Sequence, residues 1–175
     1  MEFKNAGIAL DQLPRAEEIQ WQPIDPRYRK VLWRQWLITW ALVLIAAALL
    51  VFFSTSLQDI KWISLIAGGL VLLALLNWVV VARSFTFKAY ALREHDIFYR
   101  TGWLLQSVRV CPFNRIQHCS VDAGILERKY GLSSLSVFTA GGNEADMKIP
   151  GLPEPIATSL REWIIQKTGG HEQSL

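Results

Sequence analysis

Two long runs of apolar residues without a charged side chain lie in the first half of the chain, at residues 36–53 and 62–82. As α-helices rising 1.5 Å per residue, they would be roughly 27 and 32 Å long, which matches a hydrocarbon core of about 30 Å. Buried helices of a soluble protein rarely run this long without a polar stripe, and a signal peptide would start nearer the N-terminus. The pattern therefore predicts a two-helix transmembrane hairpin with a short external loop at residues 54–61.

The flanking charges predict how the hairpin is oriented. Basic residues precede the first run and follow the second, whereas the connecting loop has one lysine balanced by Asp59. The positive-inside rule then places both termini in the cytoplasm. Neither run contains an ionisable residue, which argues against a proton relay or an ion path within this chain. The residues predicted to anchor the hairpin at the membrane surfaces are Trp33, Trp36, Trp62, Trp78, Arg34 and Arg83.

The polar segment before the hairpin, residues 1–35, is predicted to be cytoplasmic, and its residues 1–26 contain scattered prolines. Residues 1–26 are predicted to lie along the membrane surface or to be loosely ordered, with Trp21 and the nearby Tyr28 resting at the interface.

After residue 82 the pattern changes to the two-residue period of β-strands. Strands are predicted over residues 84–92, over two stretches joined near Gly102, and in "RIQHCSVD", "LSSLSVFTA" and "MKI", with Pro150-Gly151 ending the sheet. The stretch "PEPIATSLREWIIQKTGG" then has apolar residues at helical spacing, Trp163 among them. Residues 83–168 are therefore predicted to be an α+β domain of antiparallel strands capped by a C-terminal α-helix, followed by a tail at residues 169–175.

This second part resembles a known family. After a tryptophan-rich hairpin come, in order, Pro112, Arg115-Ile116-Gln117, Tyr130-Gly131-Leu132 and Thr139-Ala140-Gly141. Their order and spacing are similar to those of the YdbS-like bacterial membrane proteins, which carry a pleckstrin-homology-like (PH-like) domain. The resemblance implies a bent antiparallel β-barrel capped by a helix, and a place in the bacterial inner membrane as a multi-pass protein. It also implies a partner, a larger membrane protein with several copies of the domain, but little about activity.

Composition excludes several classes of function. A net charge of +3 is too small to indicate a nucleic-acid binder. Two cysteines, Cys111 and Cys119, are too few for a disulfide framework and are interpreted as reduced thiols.

The cluster of His118 and Cys119 does not indicate a metal or catalytic site, because adjacent residues on a strand point to opposite faces. Asp122 and Glu127 are interpreted as ordinary surface carboxylates. We therefore predict no catalytic residues, no metal and no cofactor.

Three basic residues remain as candidate contacts for a lipid headgroup or a partner, namely Arg115, Arg128 and Lys129. Near an anionic membrane surface each would contribute about 1 kcal/mol of attraction. The alternative is a solvated surface, or an ion pair of Arg115 with Asp122 or Glu127.

The leading functional hypothesis is a non-enzymatic, membrane-anchored interaction module, a subunit of an inner-membrane assembly with the larger relative or with further copies of itself. The alternative hypothesis is a sensor of anionic lipid headgroups at the cytoplasmic leaflet.

Overall fold

The computed structural model describes residues 19–54, 59–139 and 145–169. The first 18 residues, the middle of the predicted external loop and nearly all of the predicted tail lie outside these ranges. Two helices, α1 (Tyr28–Phe53) and α2 (Ile60–Thr86), contain the two apolar runs. Both are long and apolar enough to cross a membrane, and the most apolar window of each is 0% buried in the protein. The helices extend past the apolar runs, α1 at its start and α2 at both ends.

The two long helices contact each other through aromatic and polar side chains. The rings of Trp36 and Trp78 lie 5.5 Å apart, in an edge-on arrangement. Nearby, Trp40 Nε1 donates a hydrogen bond to Asn77 Oδ1 over 3.4 Å. A polar contact of this kind holds helices together in lipid, where neither group can bond to water.

A four-stranded antiparallel sheet follows α2 in the chain and also takes in residues before α1. Its order is β1 (Gln22–Pro23), β2 (Ala89–Leu92), β3 (Asp96–Thr101), β4 (Ser107–Pro112). The predicted strand over residues 84–92 is therefore shorter, because α2 continues through Thr86. Ala89, Tyr90 and Ala91 are all buried, so β2 is covered on both faces and does not show the predicted alternation.

The residues before α1 differ most from expectation. Ile24 is 3% exposed, and its neighbours Gln22 and Pro23 pair with β2. The ring of Trp21 meets that of Phe98 edge-on at 6.3 Å. The expectation of a loose segment with Trp21 at the membrane surface is wrong for these residues, because pairing with β2 satisfies their backbone and gives their apolar side chains a core.

The second sheet has three antiparallel strands in the order β5 (Ile116–Asp122), β6 (Leu132–Thr139), β7 (Met147–Pro153). A 3₁₀ turn at Phe113–Arg115 separates β5 from β4. A short helix, α3 (Ile125–Lys129), connects β5 to β6, and the chain ends in α4 (Glu154–Gly169). Pro150-Gly151 does not end the sheet as predicted: β7 continues through both residues beside a register shift in its pairing with β6.

One hydrophobic core joins both sheets and α4. Ile97 from β3, Leu135 from β6, Ile149 from β7 and Ile164 from α4 are each 0% exposed and belong to a single cluster. Trp163 of α4 closes the cluster, edge-on to Phe113 at 5.2 Å. The predicted fold class, a helical hairpin followed by a PH-like domain capped by a helix, is confirmed. The described strands form two separate sheets, however, and do not close into a continuous barrel.

Candidate functional site

The three basic residues singled out from the sequence do not converge on one site. Arg115 precedes β5, whereas Arg128 and Lys129 follow it at the end of α3. The seven residues of β5 span about 20 Å at 3.3 Å per residue. Arg128 and Lys129 are exposed beside α1, since α3 packs against that helix.

His118 and the two cysteines have structural roles. The ring of His118 stacks on that of Phe138, with 4.2 Å between centroids and 12° between planes. Cys111 is buried and Cys119 partly buried. Burial raises the pKa of the Cys119 thiol to about 11, with the neighbouring Cys111 adding to the effect. The described residues contain no group of three potential metal ligands.

The two carboxylates of the same region are occupied by hydrogen bonds. Glu127 accepts from Ser134 Oγ at 2.8 Å and from the backbone N–H of Gly124 at 3.1 Å. Asp122 accepts from Ser120 Oγ at 2.8 Å. These bonds hold the loop between β5 and β6 in shape.

A different group of residues lines a large cleft of about 730 Å³. One wall is the inner face of the first sheet, where Tyr90 pairs with Tyr99 and Tyr99 with Arg109. The opposite wall comes from α3 and from the second sheet, and α1 closes one side. We call this feature the basic cleft, because its described lining contains three cations, Lys88, Arg109 and Lys148, and a single carboxylate, that of Glu127.

Lys88 is the most enclosed of the three cations. Its ammonium group donates hydrogen bonds to Thr101 Oγ1 at 3.1 Å and, more weakly, to the Tyr99 hydroxyl at 3.5 Å. Burial lowers the pKa of Lys88 from its ordinary value of 10.5. Both of these partners are neutral, so among the described residues the enclosed charge is solvated by dipoles and forms no ion pair.

The other two cations stand at the mouth of the cleft, and both are exposed. Arg109 donates from Nη1 to the carbonyl oxygen of Asp146 at 2.9 Å. Lys148 forms no ion pair within the described residues. The carboxylate of Asp146 accepts from the Thr139 hydroxyl and backbone N–H, which lower its pKa, so it is only partly available to Arg109.

The cleft lies against the membrane-crossing part of α1. Ile38 and Thr39, which belong to the first apolar run, line it together with Gln35. Ile125 of α3 lines it as well and is 89% exposed. The basic cleft therefore opens where the domain meets the start of the apolar run.

Lys88 is one of the basic residues that follow the second apolar run, and in the sequence it indicated only a flanking charge; no pattern indicated a role for Lys148. One signal was present: Lys88 directly precedes β2 and lies two residues before Tyr90, so strand periodicity places both on one face, beside Tyr99 and Thr101 of β3. Lys148 had no such signal, because its position depends on how the second sheet stands against the first.

Comparison with known proteins agrees with the fold. The sequence pattern of the family described as Bacterial PH domain matches residues 35–168. The UPF0699 transmembrane protein YdbS of Bacillus subtilis (strain 168) is 30% identical over 105 residues, which are 59% of this chain and 64% of that protein. The chain thus spans less than two thirds of this relative's length. No solved structure matches significantly.

The family match extends from α1 to the end of α4, and the resemblance expected from the sequence motifs is confirmed. The strand β1 and the buried Ile24 precede the matched residues. With two helices fit to cross a bilayer and a PH-like domain behind them, this chain is a membrane protein that belongs to the bacterial PH domain family.

Proposed function

We propose that the protein is a non-enzymatic, membrane-anchored module whose basic cleft binds the anionic headgroup of a phospholipid. The observation that carries this proposal is the convergence of three cations, Lys88, Arg109 and Lys148, on a cleft that opens beside the apolar run of α1. Neither lysine has a carboxylate partner within the described residues. A phosphate group would supply the missing counter-charge and accept hydrogen bonds from all three side chains.

The position of the cleft favours a lipid over a soluble phosphate compound. A headgroup in the cleft would place its acyl chains along Ile38 and the apolar surface that follows it on α1. Arg128 and Lys129, together with Arg34, lie on the same side of the domain and would add long-range attraction to an anionic leaflet. Arg115 lies at the other end of β5 and has no part in this site.

The pairing of β1 with β2 supports the proposed topology. These strands flank the helical hairpin, and they contact each other directly through Gln22–Tyr90 and Pro23–Ala89. This pairing supports a topology with both flanks of the hairpin on one side of the membrane, as expected of a protein that crosses the bilayer twice. The excess of basic residues on those flanks favours the cytoplasmic side of the bacterial inner membrane. Trp33 and Trp62, each about half exposed, are proposed as anchors at the two surfaces, with Arg34 and Arg83 beside the domain; Trp36 and Trp78 contact each other.

The test is lipid retention by the full-length protein. We would purify the chain in mild detergent, add phosphatidylglycerol or phosphatidylcholine, and count bound lipids by native mass spectrometry. The expected result is preferential retention of phosphatidylglycerol that falls severalfold in the double variant Lys88→Ala, Lys148→Ala. Lys167→Ala is the matched control, because that lysine lies over Trp163 on α4, away from the cleft.

Competition separates the two sources of phosphate. Glycerol phosphate in excess displaces the lipid if the headgroup alone is recognised, and fails to do so if the acyl chains on α1 contribute. Equal retention of both lipids by the wild type, or unchanged retention by the double variant, would overturn the proposal.

A second candidate function is that of a subunit in a membrane assembly, and one feature favours it. On the outer face of β4, Val108 and Val110 are 51% and 49% exposed. The far edge of β4 has no strand partner within the described residues. An apolar edge strand of this kind is a site where another chain can add a strand. The proposed occupant is the larger membrane protein with repeated PH-like domains, or a second copy of this chain.

This second role is tested by cross-linking in native membranes. A photoreactive side chain at position 108 should form one dominant adduct if β4 is an interface, while the same group at the exposed Gln166 of α4 should not. Introducing a charge into this apolar surface by Val110→Lys should then remove the adduct. If neither position forms a cross-link to another chain, the proposal that the edge of β4 is an interface is excluded.

A further inference from the structure

The loop between β3 and β4, residues 102–106, is apolar and projects from the domain. Leu104 is 72% and Leu105 88% exposed, and the loop carries no charged residue. Gly102 has a φ of +94°, and a side chain there would collide with the carbonyl oxygen of Leu105. The backbone thus folds back tightly on itself and leaves the two leucine side chains at the tip. Two adjacent leucines this exposed are costly in water, because each keeps most of its apolar surface hydrated.

The loop lies beside the last turn of α2. The guanidinium carbon of Arg83 is 5.8 Å from the ring centroid of Trp103. Arg83 directly follows the second apolar run, at the level where the helix leaves the hydrocarbon. Arginine and tryptophan both favour the polar boundary of a bilayer, the first for its charge and the second for its amphipathic ring. Trp103 therefore stands at the height of that boundary, and the leucines come next in the chain.

The lining of the basic cleft also indicates that the β3–β4 loop lies near the membrane boundary. Thr101, the last residue of β3, lines the basic cleft together with Ile38 and Thr39 of α1. These two residues lie inside the first apolar run. Across the cleft, Ile125 begins α3, which packs on α1, and its side chain is 89% exposed. The exposed apolar tips on both sides of the cleft thus lie near the ends of the two helices that face the domain.

We propose that Leu104, Leu105 and Ile125 insert into the bilayer that α1 and α2 cross. The two leucines form one apolar contact, on one side of the basic cleft, and Ile125 forms a second contact on the other side. The occupant of this surface is lipid, because the tips are continuous with the membrane-crossing helices and Trp103 lies under Arg83. The domain would then be held against the membrane at three places, namely the hairpin and these two apolar contacts. It could not swing freely on the hairpin. Its cleft would face the headgroup layer permanently.

The experiment places an environment-sensitive fluorophore at single cysteines of the full-length protein in vesicles. The native thiols are first removed by Cys111→Ala and Cys119→Ala, and Leu105→Cys, Leu104→Cys or Ile125→Cys is added. The matched control is Asn114→Cys, an exposed position in the 3₁₀ turn at the opposite end of β4. Lipids carrying a nitroxide high on the acyl chain serve as the quencher.

We expect blue-shifted emission and severalfold stronger quenching at positions 104, 105 and 125 than at position 114. Equal quenching at all positions would overturn the proposal. A blue shift without quenching would overturn it too, since the leucines would then be buried against protein. The measurement is repeated in vesicles of phosphatidylcholine alone, where insertion is expected to persist because it needs no anionic lipid. Failure of the headgroup proposal therefore leaves this result intact, and the reverse also holds.

Discussion

A side chain on Gly151 would overlap the ring of Tyr28: an added Cβ would lie 2.6 Å from Tyr28 Cγ and 2.7 Å from Tyr28 Cβ. The first turn of α1 is thus packed directly on the backbone of β7. The carbonyl oxygen of the same glycine accepts a hydrogen bond from the backbone N–H of Asp25 at 3.0 Å. The start of the first long helix is therefore attached to the second sheet, while β1, a few residues earlier, belongs to the first.

Substitution of Gly151 by alanine is expected to loosen this attachment. The glycine has a φ of +68°, and a left-handed conformation costs alanine roughly 1–2 kcal/mol. The clash with Tyr28 adds an overpacking cost of about 1–3 kcal/mol. Gly131→Ala is the matched control, because Gly131 has a similar φ of +64° but a Cβ added there would lie 3.9 Å from Arg27 Nη1, an ordinary contact distance. Thermal unfolding of the full-length protein in detergent should show a clearly larger loss for Gly151→Ala, and equal losses would contradict the packing argument.

The ion pair of Asp25 and Arg27 makes the same junction sensitive to acid. Arg27 Nη2 lies 2.9 Å from Asp25 Oδ2, and Arg27 Nη1 donates to the carbonyl oxygen of Tyr130 at 3.3 Å. The hydrogen bond from Arg27 lowers the pKa of Asp25 below its ordinary value of 3.8. A lowered carboxyl pKa contributes stability that is present above pH 3.8 and is lost as the pH falls through the folded-state value. Arg27→Gln should therefore be less stable than the wild type near neutral pH, and the two should converge in strong acid. A constant difference across this range would assign the effect to the Tyr130 contact.

Lys88 is expected to lower the stability of the folded protein while contributing to lipid binding in the basic cleft. Because its folded-state pKa is below 10.5, the unfolded chain binds its proton more readily, so stability rises as the pH increases through the folded-state pKa towards 10.5. Lys88→Met should remove this rise and leave the fold as stable as the wild type, or more stable, at neutral pH. The same variant should lose phosphatidylglycerol in the retention assay. A variant that unfolds at neutral pH would instead indicate a structural role for the lysine.

Cys119 should react slowly with alkylating reagents. The thiolate is the reactive form, and a pKa of about 11 in place of the ordinary 9.0 leaves little of it at moderately alkaline pH. In a Cys111→Ala background, the rate of iodoacetamide labelling should keep rising up to about pH 11. A peptide thiol, used as the reference, levels off about two units earlier. If labelling of Cys119 levelled off at the same pH as labelling of the peptide, the conclusion that Cys119 is buried would be wrong.

The raised pKa of Cys119 also affects stability. Since the unfolded chain loses the thiol proton at lower pH than the folded protein, the fold should lose stability as the pH rises from 9 towards 11.

The sequence predicted those parts of the fold that depend on local periodicity. The apolar runs of α1 and α2 have a length that few soluble helices share, and α4 has its apolar residues at helical spacing. The turn at Gly102 was also predicted, because a glycine interrupts two alternating stretches. In each case the pattern of apolar and polar residues lies within one short segment of the chain, so it can be recognised without knowing the rest of the fold.

Contacts between distant segments were not predicted. Ile24 lies in a polar, proline-containing segment, and its burial depends on a strand that is made only after the hairpin. The cleft was not predicted for the same reason, since Arg109 and Lys148 lie in strands of different sheets and Lys88 directly precedes β2. Arg115, Arg128 and Lys129 are close in sequence, which made them candidates for a single contact site. In the fold, the length of β5 separates Arg115 from the other two.

The pairing of β1 with β2 imposes an order on biosynthesis. The ribosome makes β1 first, then the whole helical hairpin, and only afterwards the strand to which β1 pairs. In the proposed topology, a chain with only one of the two helices across the bilayer would hold β1 and β2 on opposite sides, so the first sheet could not be completed. A completed sheet therefore requires both helices to insert together, and an unpaired β1 is expected only in chains whose hairpin is half inserted.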